Sequence, residues 1–201
     1  MLITRIKKLR SGRYGVYGDY RFLVSVDEEI LVRRNLAEGR EIDDGQIQAI
    51  VEESVSSMAK DKALSLLSYR DHSKAELKNK LVRTVGEAAA WDAADKMEEL
   101  GLVNDADYAA KLARELFNKK FYGSARVTYE MLHRGIDREI VEAAVEELEI
   151  DPVEQILKFL RRRYPAGISD EKNRKRASAA LMRNGFQWDE IRQAFREYER
   201  I

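Results

Sequence analysis

Roughly the last two-thirds of the chain repeats itself with a period of about 50 residues, and this repeat constrains the fold more than any other feature. Three similar segments, residues 73–81, 124–132 and 173–181, each end on a leucine. The second and third also continue alike, to Gly135 and Gly185. A period of this length is typical of stacked helical units, because each unit buries its apolar face against its neighbours. The repeat therefore predicts an elongated array, whose long surface suits an extended partner better than a small substrate.

The composition indicates a mainly α-helical chain with apolar cores. Charged residues make up 36% and apolar residues 44% of the 201 residues, and proline occurs twice. Ala, Glu, Lys, Leu and Arg, which favour helices, are abundant. The net charge is zero, so a simple polyanion binder is not expected. The chain contains no cysteine, which excludes disulfides, thiolate zinc sites and a cysteine nucleophile.

The first 26 residues predict a small antiparallel β-meander, because β-favouring residues alternate there and are interrupted by glycines. The spacing Gly12-x-x-Gly15-x-x-Gly18 has no lysine–hydroxyl pair after it, so it predicts a strand and turn rather than a phosphate loop. Two or three strands are not stable alone, and we expect them to pack on a short helix over residues 27–35. No apolar run has the length of a signal peptide or membrane span, so a cytoplasmic protein without membrane contact is expected.

Apolar positions near a 3.6-residue period predict a long helix from about Asp44 to Tyr69, which joins the N-terminal module to the repeats. The repeats, the first of which begins near residue 60, are predicted to contain nine short helices in three triplets. Ser73-x-x-Glu76 has the spacing of a capping box at the start of one middle helix. The chain is divided on this basis into a β-containing module with a short helix (1–50), a linking helix with the first repeat (51–103), a second repeat (104–150) and a third repeat (151–201).

The third helix of each triplet carries a tryptophan or an apolar stripe. In the first triplet this helix is predicted from Trp91 to Leu100, with Gly101 ending it. Trp91 and Trp188 occupy comparable places in third helices and are predicted to anchor the cores. Either Asn104 or Asp105 caps the helix that opens the second repeat. The core stripe of the second repeat's third helix is predicted to be Ile140, Ala143, Ala144 and Leu148.

Charge alternates along the repeats, since each third helix is acidic and the first two helices after it are basic. Because the helices of a repeat have fixed sides, basic residues can gather along one flank and acidic residues along another. A surface of this kind can meet a protein partner and a phosphate backbone at once.

Basic residues adjacent to aromatic residues recur in register, as in residues 119–122 and 161–164. Such clusters suit contact with nucleic acid or an anionic filament, although a run of charges is often only a solvated helix face. The arginines favour contact with nucleic acid or an anionic filament, because a planar guanidinium can form two hydrogen bonds with one carboxylate or phosphate. The candidate residues for binding a partner or DNA are Lys119, Lys120, Arg126, Arg134, Arg161, Arg162, Arg163, Arg174, Lys175, Arg176 and Arg183.

The sequence contains no constellation with catalytic or metal-ligand spacing. His72 and His133 lie far apart without ligand-spaced neighbours and are expected to be structural. We therefore expect a protein that is not an enzyme and that binds no cofactor or metal.

Several motifs occur in the order that is characteristic of one bacterial family. Residues 63–81 and 100–109 are similar to the first repeat of the RecX family of regulatory proteins. Residues 123–136 and 174–186 resemble its second and third repeats. The resemblance covers about residues 60–200, and the strand-bearing N-terminus looks like an extension found in some members. One departure is Arg83-Thr84-Val85-Gly86, which lacks the Arg-Gly pair of the second repeat.

This resemblance implies three tandem three-helix repeats and a modulator of the RecA recombinase. Members of the family are understood to bind the RecA–DNA filament and to inhibit strand exchange, ATP hydrolysis and co-protease activity, which modulates recombination and the SOS response. The implied partner is the RecA nucleoprotein filament, with DNA contacted through basic faces, and the protein is expected to act as a monomer. The alternative function is a stand-alone helical module that binds naked nucleic acid, against which the zero net charge argues.

Overall fold

The computed structural model describes residues 1–149, 151–168 and 170–199. Within them, three β-strands are followed by ten α-helices. The predicted N-terminal sheet and the mainly helical remainder, with its three-helix repeats, are confirmed. The predicted ends of the second and third repeats, residues 150 and 201, lie outside the described residues. The chain forms two compact units: Met1–Arg70 with Leu77–Leu102, and Asp71–Glu76 with the chain from Val103 onward.

The first unit begins with an antiparallel sheet in the order β1-β2-β3. Its strands are β1 (Ile3–Lys8), β2 (Tyr14–Gly18) and β3 (Arg21–Val26). One face of the sheet is covered, as expected for so few strands, because Ile3, Val16 and Val26 share a buried cluster with Ile30 and Ile50. The glycine triplet thus lies in a strand–turn segment, as predicted.

Four helices belong wholly or mainly to this unit: α1 (Glu28–Arg33), α2 (Asp44–Leu67), α3 (Lys74–Val85) and α4 (Glu87–Glu99). Asp27 caps α1, and Asp43 forms a reciprocal capping box with Gln46 at the start of α2. The long helix α2 packs against both β3 and α4.

A polar network joins the sheet to α2. The Arg13 guanidinium donates to Ser54 Oγ at 2.8 Å and to the Ser25 carbonyl at 3.0 Å. Ser57 Oγ, on the same helix, donates to Asp27 Oδ2 at 2.5 Å. Burial raises the pKa of Asp27, but the hydrogen bonds from Ser57 and the Ile30 N–H and the charge of Arg13 outweigh it, so the pKa lies below its ordinary value. The network therefore favours the ionised carboxylate.

The second unit contains the six helices α5 (Asp105–Lys120), α6 (Ser124–His133), α7 (Arg138–Glu146), α8 (Pro152–Arg163), α9 (Glu171–Arg183) and α10 (Trp188–Tyr198). Asn104 caps α5, and aspartates cap α7, α8 and α9. Helices α5–α7 surround one buried cluster that includes Leu112, Val127 and Met131. Helices α8–α10 surround another that includes Leu160 and Leu181. Each triplet thus has its own core.

Three details of the third helices differ from the predictions. Helix α4 begins at Glu87 rather than Trp91, because Gly86 adopts a φ of +82° and starts the helix earlier. Trp91 is 43% exposed and Trp188 51% exposed, so neither is a core anchor. In α4, alanines and Met97 form the buried face. In α10, Trp188 is the first residue and precedes the residues of that helix that are buried. In α7, the predicted core residues Ile140, Ala144 and Leu148 are confirmed. The fourth, Ala143, is exposed, and Val141 is buried instead.

Within the second unit, Gly135 forms a joint with the start of α3. Its φ is +73°, and a Cβ at this position would lie 2.6 Å from Ala75 Cβ. The preceding residue, Arg134, accepts a hydrogen bond from Ser73 Oγ at its carbonyl. Its guanidinium donates to the Tyr108 hydroxyl at 2.7 Å. Only glycine provides both the left-handed backbone and the room for this approach.

Gly185 forms a matching joint with the start of α6. Its φ is +89°, and a Cβ would lie 2.6 Å from the backbone nitrogen of Arg126. The Gly123 N–H donates to the Asn184 carbonyl at 2.9 Å. The Asn184 side-chain amide donates to the Phe121 carbonyl at 3.3 Å. In both joints, the C-terminal end of the middle helix of one repeat contacts the N-terminus of the middle helix of the preceding repeat.

A candidate basic binding cleft

A cleft of about 930 Å³ opens in the second unit between the C-terminal ends of α5 and α8 and one face of α9. Its wall is cationic and aromatic, and none of the described acidic side chains lines it. The cationic residues are Lys119, Lys120, Arg162, Arg163, Arg176 and Arg183. The aromatic residues are Phe121, Tyr122, Phe159 and Tyr164.

The local sequence explains why these cations meet. Lys119 and Lys120 occupy the last turn of α5, which ends where Phe121 adopts a left-handed φ of 56°. The last turn of α8 likewise carries Arg162 and Arg163. Positive side chains are favoured at helix C-termini because the helix dipole is negative there. Two helix ends therefore carry cations for a local reason, and their packing brings both to one place.

Helix α9 contributes through its 3.6-residue periodicity. Asn173, Arg176, Ala180 and Arg183 are spaced three or four residues apart and line the cleft together. Arg174 and Lys175 lie on another face of the helix, although they adjoin Arg176 in sequence. The two sides of α9 therefore differ in what they can contact.

The electrostatics of the cleft favour an anion. Lys119 pairs with Glu115, at 3.5 Å and on the surface, where such pairs contribute little. In the part of the chain that the structure describes, the other five cations form no ion pair. Arg162 lies over the ring of Phe121, 5.5 Å from its centroid. Gathered like charges repel one another, so a bound polyanion would relieve this repulsion.

Five of the predicted contact residues lie outside the cleft lining. Arg126 is held between the rings of Tyr122 and Tyr129, with its guanidinium 5.7 and 5.1 Å from their centroids. Arg134 is engaged at the Gly135 joint by its hydrogen bond to Tyr108. The other three are Arg161, which is exposed, Arg174, which pairs with Glu199 at 2.7 Å, and Lys175, which pairs with Glu171 at 2.7 Å.

The structure also adds cleft residues that the sequence did not single out. Asn173 and Asn184 line the cleft, and neither carries a charge that would mark it in the sequence. The position of Asn173 three residues before Arg176 is the one signal that could have identified it. Among the described residues, no group of three or more His, Asp or Glu side chains could hold a metal ion. Of the helices in that same part of the chain, none combines the length and apolarity needed to cross a membrane.

Tandem three-helix domains with a shared basic cleft define a helical-repeat protein of the kind that presents a surface to a macromolecule. Three family models match the chain in order. The RecX first three-helix domain matches residues 59–97, the second matches 104–145, and the third matches 149–195.

Whole-chain comparisons agree with these matches. A protein from Caldanaerobacter subterraneus subsp. tengcongensis named regulatory protein RecX is 31% identical over 196 residues, which cover 96% of this chain and 98% of the relative. A protein of the same name from Clostridioides difficile is 29% identical over 196 residues, which cover 95% of this chain and 92% of the relative. The chain belongs to the RecX family of regulatory proteins.

Two solved structures have a similar fold. A crystal structure of a regulatory protein RecX aligns with a TM-score of 0.64 at 24% identity, covering 98% of each chain. The crystal structure of RecX from Lactobacillus salivarius aligns with a TM-score of 0.59 at 27% identity, covering 73% of this chain and 98% of that one. The fold of this chain is therefore similar to that of both solved proteins.

Proposed function

We propose that this protein is a non-enzymatic, cytoplasmic regulator that binds the RecA–DNA filament as a monomer and inhibits its recombinase, ATPase and co-protease activities. Through this inhibition it modulates recombination and the SOS response. Membership of a family whose proteins are named regulatory proteins supports the regulatory role. The observation that carries the proposal is the cleft in which six cations and four aromatic rings meet.

A nucleoprotein filament supplies the ligand chemistry that such a cleft suits. It presents DNA phosphates and protein carboxylates at regular intervals along one surface. Arginine binds both groups with two parallel hydrogen bonds, and four of the six cleft cations are arginines. Because five of the cations form no ion pair within the described chain, binding breaks no internal pair at those positions.

The test compares two double variants in an assay of RecA on single-stranded DNA. Arg163→Ala with Arg176→Ala removes two cleft cations, whereas Arg161→Ala with Lys175→Ala removes cations from the same helices outside the cleft. Charge-assisted hydrogen bonds contribute about 1.5–3 kcal/mol each. We therefore expect the cleft variant to need at least about tenfold more protein for half-inhibition of ATP hydrolysis, and the control variant to behave like the parent.

Two results would reject the proposal at different levels. If the parent protein leaves ATP hydrolysis and strand exchange unchanged at micromolar concentration, the regulatory function is wrong. If both double variants lose inhibition equally, the function stands but the cleft is not the binding site.

A stand-alone nucleic-acid-binding function is the second candidate, because the mixture of cations and aromatic rings in the cleft also suits naked single strands. It predicts equal affinity for bare DNA and for the filament. It also predicts a steep loss of affinity with salt, with a logarithmic slope of about −0.7 for each neutralised phosphate. A clear preference for the filament would exclude it.

A further inference from the structure

A row of aromatic and cationic side chains runs along the exposed side of α6, beside the cleft. It consists of Arg126, Tyr129 and His133, which are spaced three or four residues apart on α6 and so share one side, and of Tyr122, which lies just before the helix. The rings of Tyr129 and His133 are parallel within 5°, with centroids 6.0 Å apart. Tyr129 is 56% exposed. Part of this stacked aromatic pair thus remains open to solvent.

The row is held in place by its neighbours. Arg126 pairs with Glu130 at 2.5 Å, while its guanidinium lies over both tyrosine rings. Its backbone is packed beneath Gly185 at the joint of the repeats. Tyr129 therefore has a fixed cation on one side and a parallel ring beside it, and ordering it on binding costs little further side-chain entropy.

Tyr122 connects this row to the cleft, because it lines the cleft and also lies under the Arg126 guanidinium. A ligand that places phosphates in the cleft can reach the row with an attached flat group. Unpaired nucleobases are flat and stack on aromatic rings and on arginine planes. The bases of a duplex are stacked inside the helix and do not present their faces in this way.

We infer that Tyr129 and His133 form a stacking platform for an unpaired base of single-stranded DNA whose phosphates lie in the adjacent cleft. This inference rests on the proposed function and names the DNA strand as the ligand of this side of the second unit. Phosphate contacts in the cleft supply affinity that depends on salt, and base stacking supplies preference for single strands. Tyr129 supplies the stacking through its ring rather than its hydroxyl.

The test measures binding of a fluorescein-labelled 20-nucleotide single-stranded oligonucleotide and of the matching duplex by anisotropy, across a salt series. Stacking on an aromatic side chain corresponds to a change of about five- to 140-fold in affinity. We expect Tyr129→Ala to weaken single-strand binding by at least fivefold without changing the salt slope, because no phosphate contact is lost. Tyr129→Phe should retain binding, and duplex binding should be unaffected.

Two control variants keep the outcome interpretable. Tyr69→Ala removes another exposed tyrosine, in the first unit, and should leave binding unchanged. Arg163→Ala with Arg176→Ala should weaken single strand and duplex alike and reduce the salt slope. Melting temperatures of all variants test whether each is folded. We expect Tyr129→Ala to melt like the parent, because Tyr129 is exposed and its removal leaves no cavity.

The inference is overturned if Tyr129→Ala leaves single-strand affinity unchanged, if it weakens single strand and duplex equally, or if the parent protein does not bind the single strand. The RecA assay is run in parallel on the same samples. Failure of the parent to inhibit RecA, with stacking intact, would reject the proposed function alone. Inhibition that persists without any effect of Tyr129→Ala on single-strand binding would reject the platform alone.

Discussion

Replacing Gly185 with alanine should separate two helices that the structure holds in contact. Gly185 has a φ of +89°, and a Cβ there would lie 2.6 Å from the backbone nitrogen of Arg126 and 2.7 Å from its Cβ. These atoms belong to the first turn of α6, so they cannot move aside as a flexible side chain would. The hydrogen bond from the Gly123 N–H to the Asn184 carbonyl, at 2.9 Å, further fixes the approach.

The expected cost has two parts. A left-handed backbone costs a residue with a Cβ about 1–2 kcal/mol, and overpacking in a close contact costs about 1–3 kcal/mol. We therefore expect Gly185→Ala to lower the free energy of unfolding of the second unit by about 2–5 kcal/mol. Gly167→Ala is the matched control, because Gly167 has a φ of +91° and no other atom of the described residues lies within 4 Å of the added carbon. It should cost only the backbone part.

The assay is urea unfolding followed by Trp188 fluorescence in a Trp91→Phe background, so that the signal reports the second unit alone. Equal midpoints for Gly185→Ala and Gly167→Ala, with equal dependence on urea, would refute the reasoning from contact distance. An intermediate result, in which Gly185→Ala costs more than the control but less than 2 kcal/mol, would mean that α6 yields locally.

Three further predictions concern single side chains. Because the pKa of Asp27 is lowered, its ionised form stabilises the first unit above about pH 4, and this contribution is lost as the pH falls through the lowered value. Asp27→Asn should therefore reduce the dependence of the free energy of unfolding on pH in this acidic range, measured by unfolding across a pH series. Arg134→Ala should lower the free energy of unfolding in urea by about 1–3 kcal/mol, because it leaves the buried Tyr108 hydroxyl unpaired. The protein concentration that half-inhibits RecA should stay unchanged. A variant that loses inhibition but keeps the stability of the parent would contradict this. Trp91→Ala should cost about 1–3 kcal/mol by thermal melting, because the residue is 43% exposed and the Lys78 ammonium over its ring is also lost. A loss near the upper end of the roughly 3–5 kcal/mol of a fully buried tryptophan would show that the ring anchors the core.

Where a side chain caps the helix, local signals predicted the helix start, because caps act within one turn. Ser73 Oγ accepts from the Glu76 N–H at 3.0 Å, and Asn104 caps α5 through two backbone N–H groups. Where the signal was periodicity alone, the prediction was less accurate. In α7 the predicted stripe placed Ile140, Ala144 and Leu148 correctly at the core. It included the exposed Ala143 in place of the buried Val141, which lies two residues away, or about 200° around the helix.

Six of the eleven candidate contact residues line the cleft, and the sequence could not separate them from the other five. Arg174, Lys175 and Arg176 form one basic run, yet only Arg176 faces the cleft. The two tryptophans show the same limit, since their size suggested the core while their helices bury alanines and isoleucine instead.

The helices, most of their caps, the strand-bearing N-terminus and the threefold repeat could be read from the amino-acid sequence, because they depend on contacts within a few residues or on a period along the chain. Tertiary structure alone decided which cations converge and which aromatic rings stay open. That choice depends on how each helix is rotated and on how closely the glycine joints let one repeat approach the next. Rotation and approach are set by core packing between residues far apart in sequence, such as Leu160 with Leu181, and no local pattern encodes them.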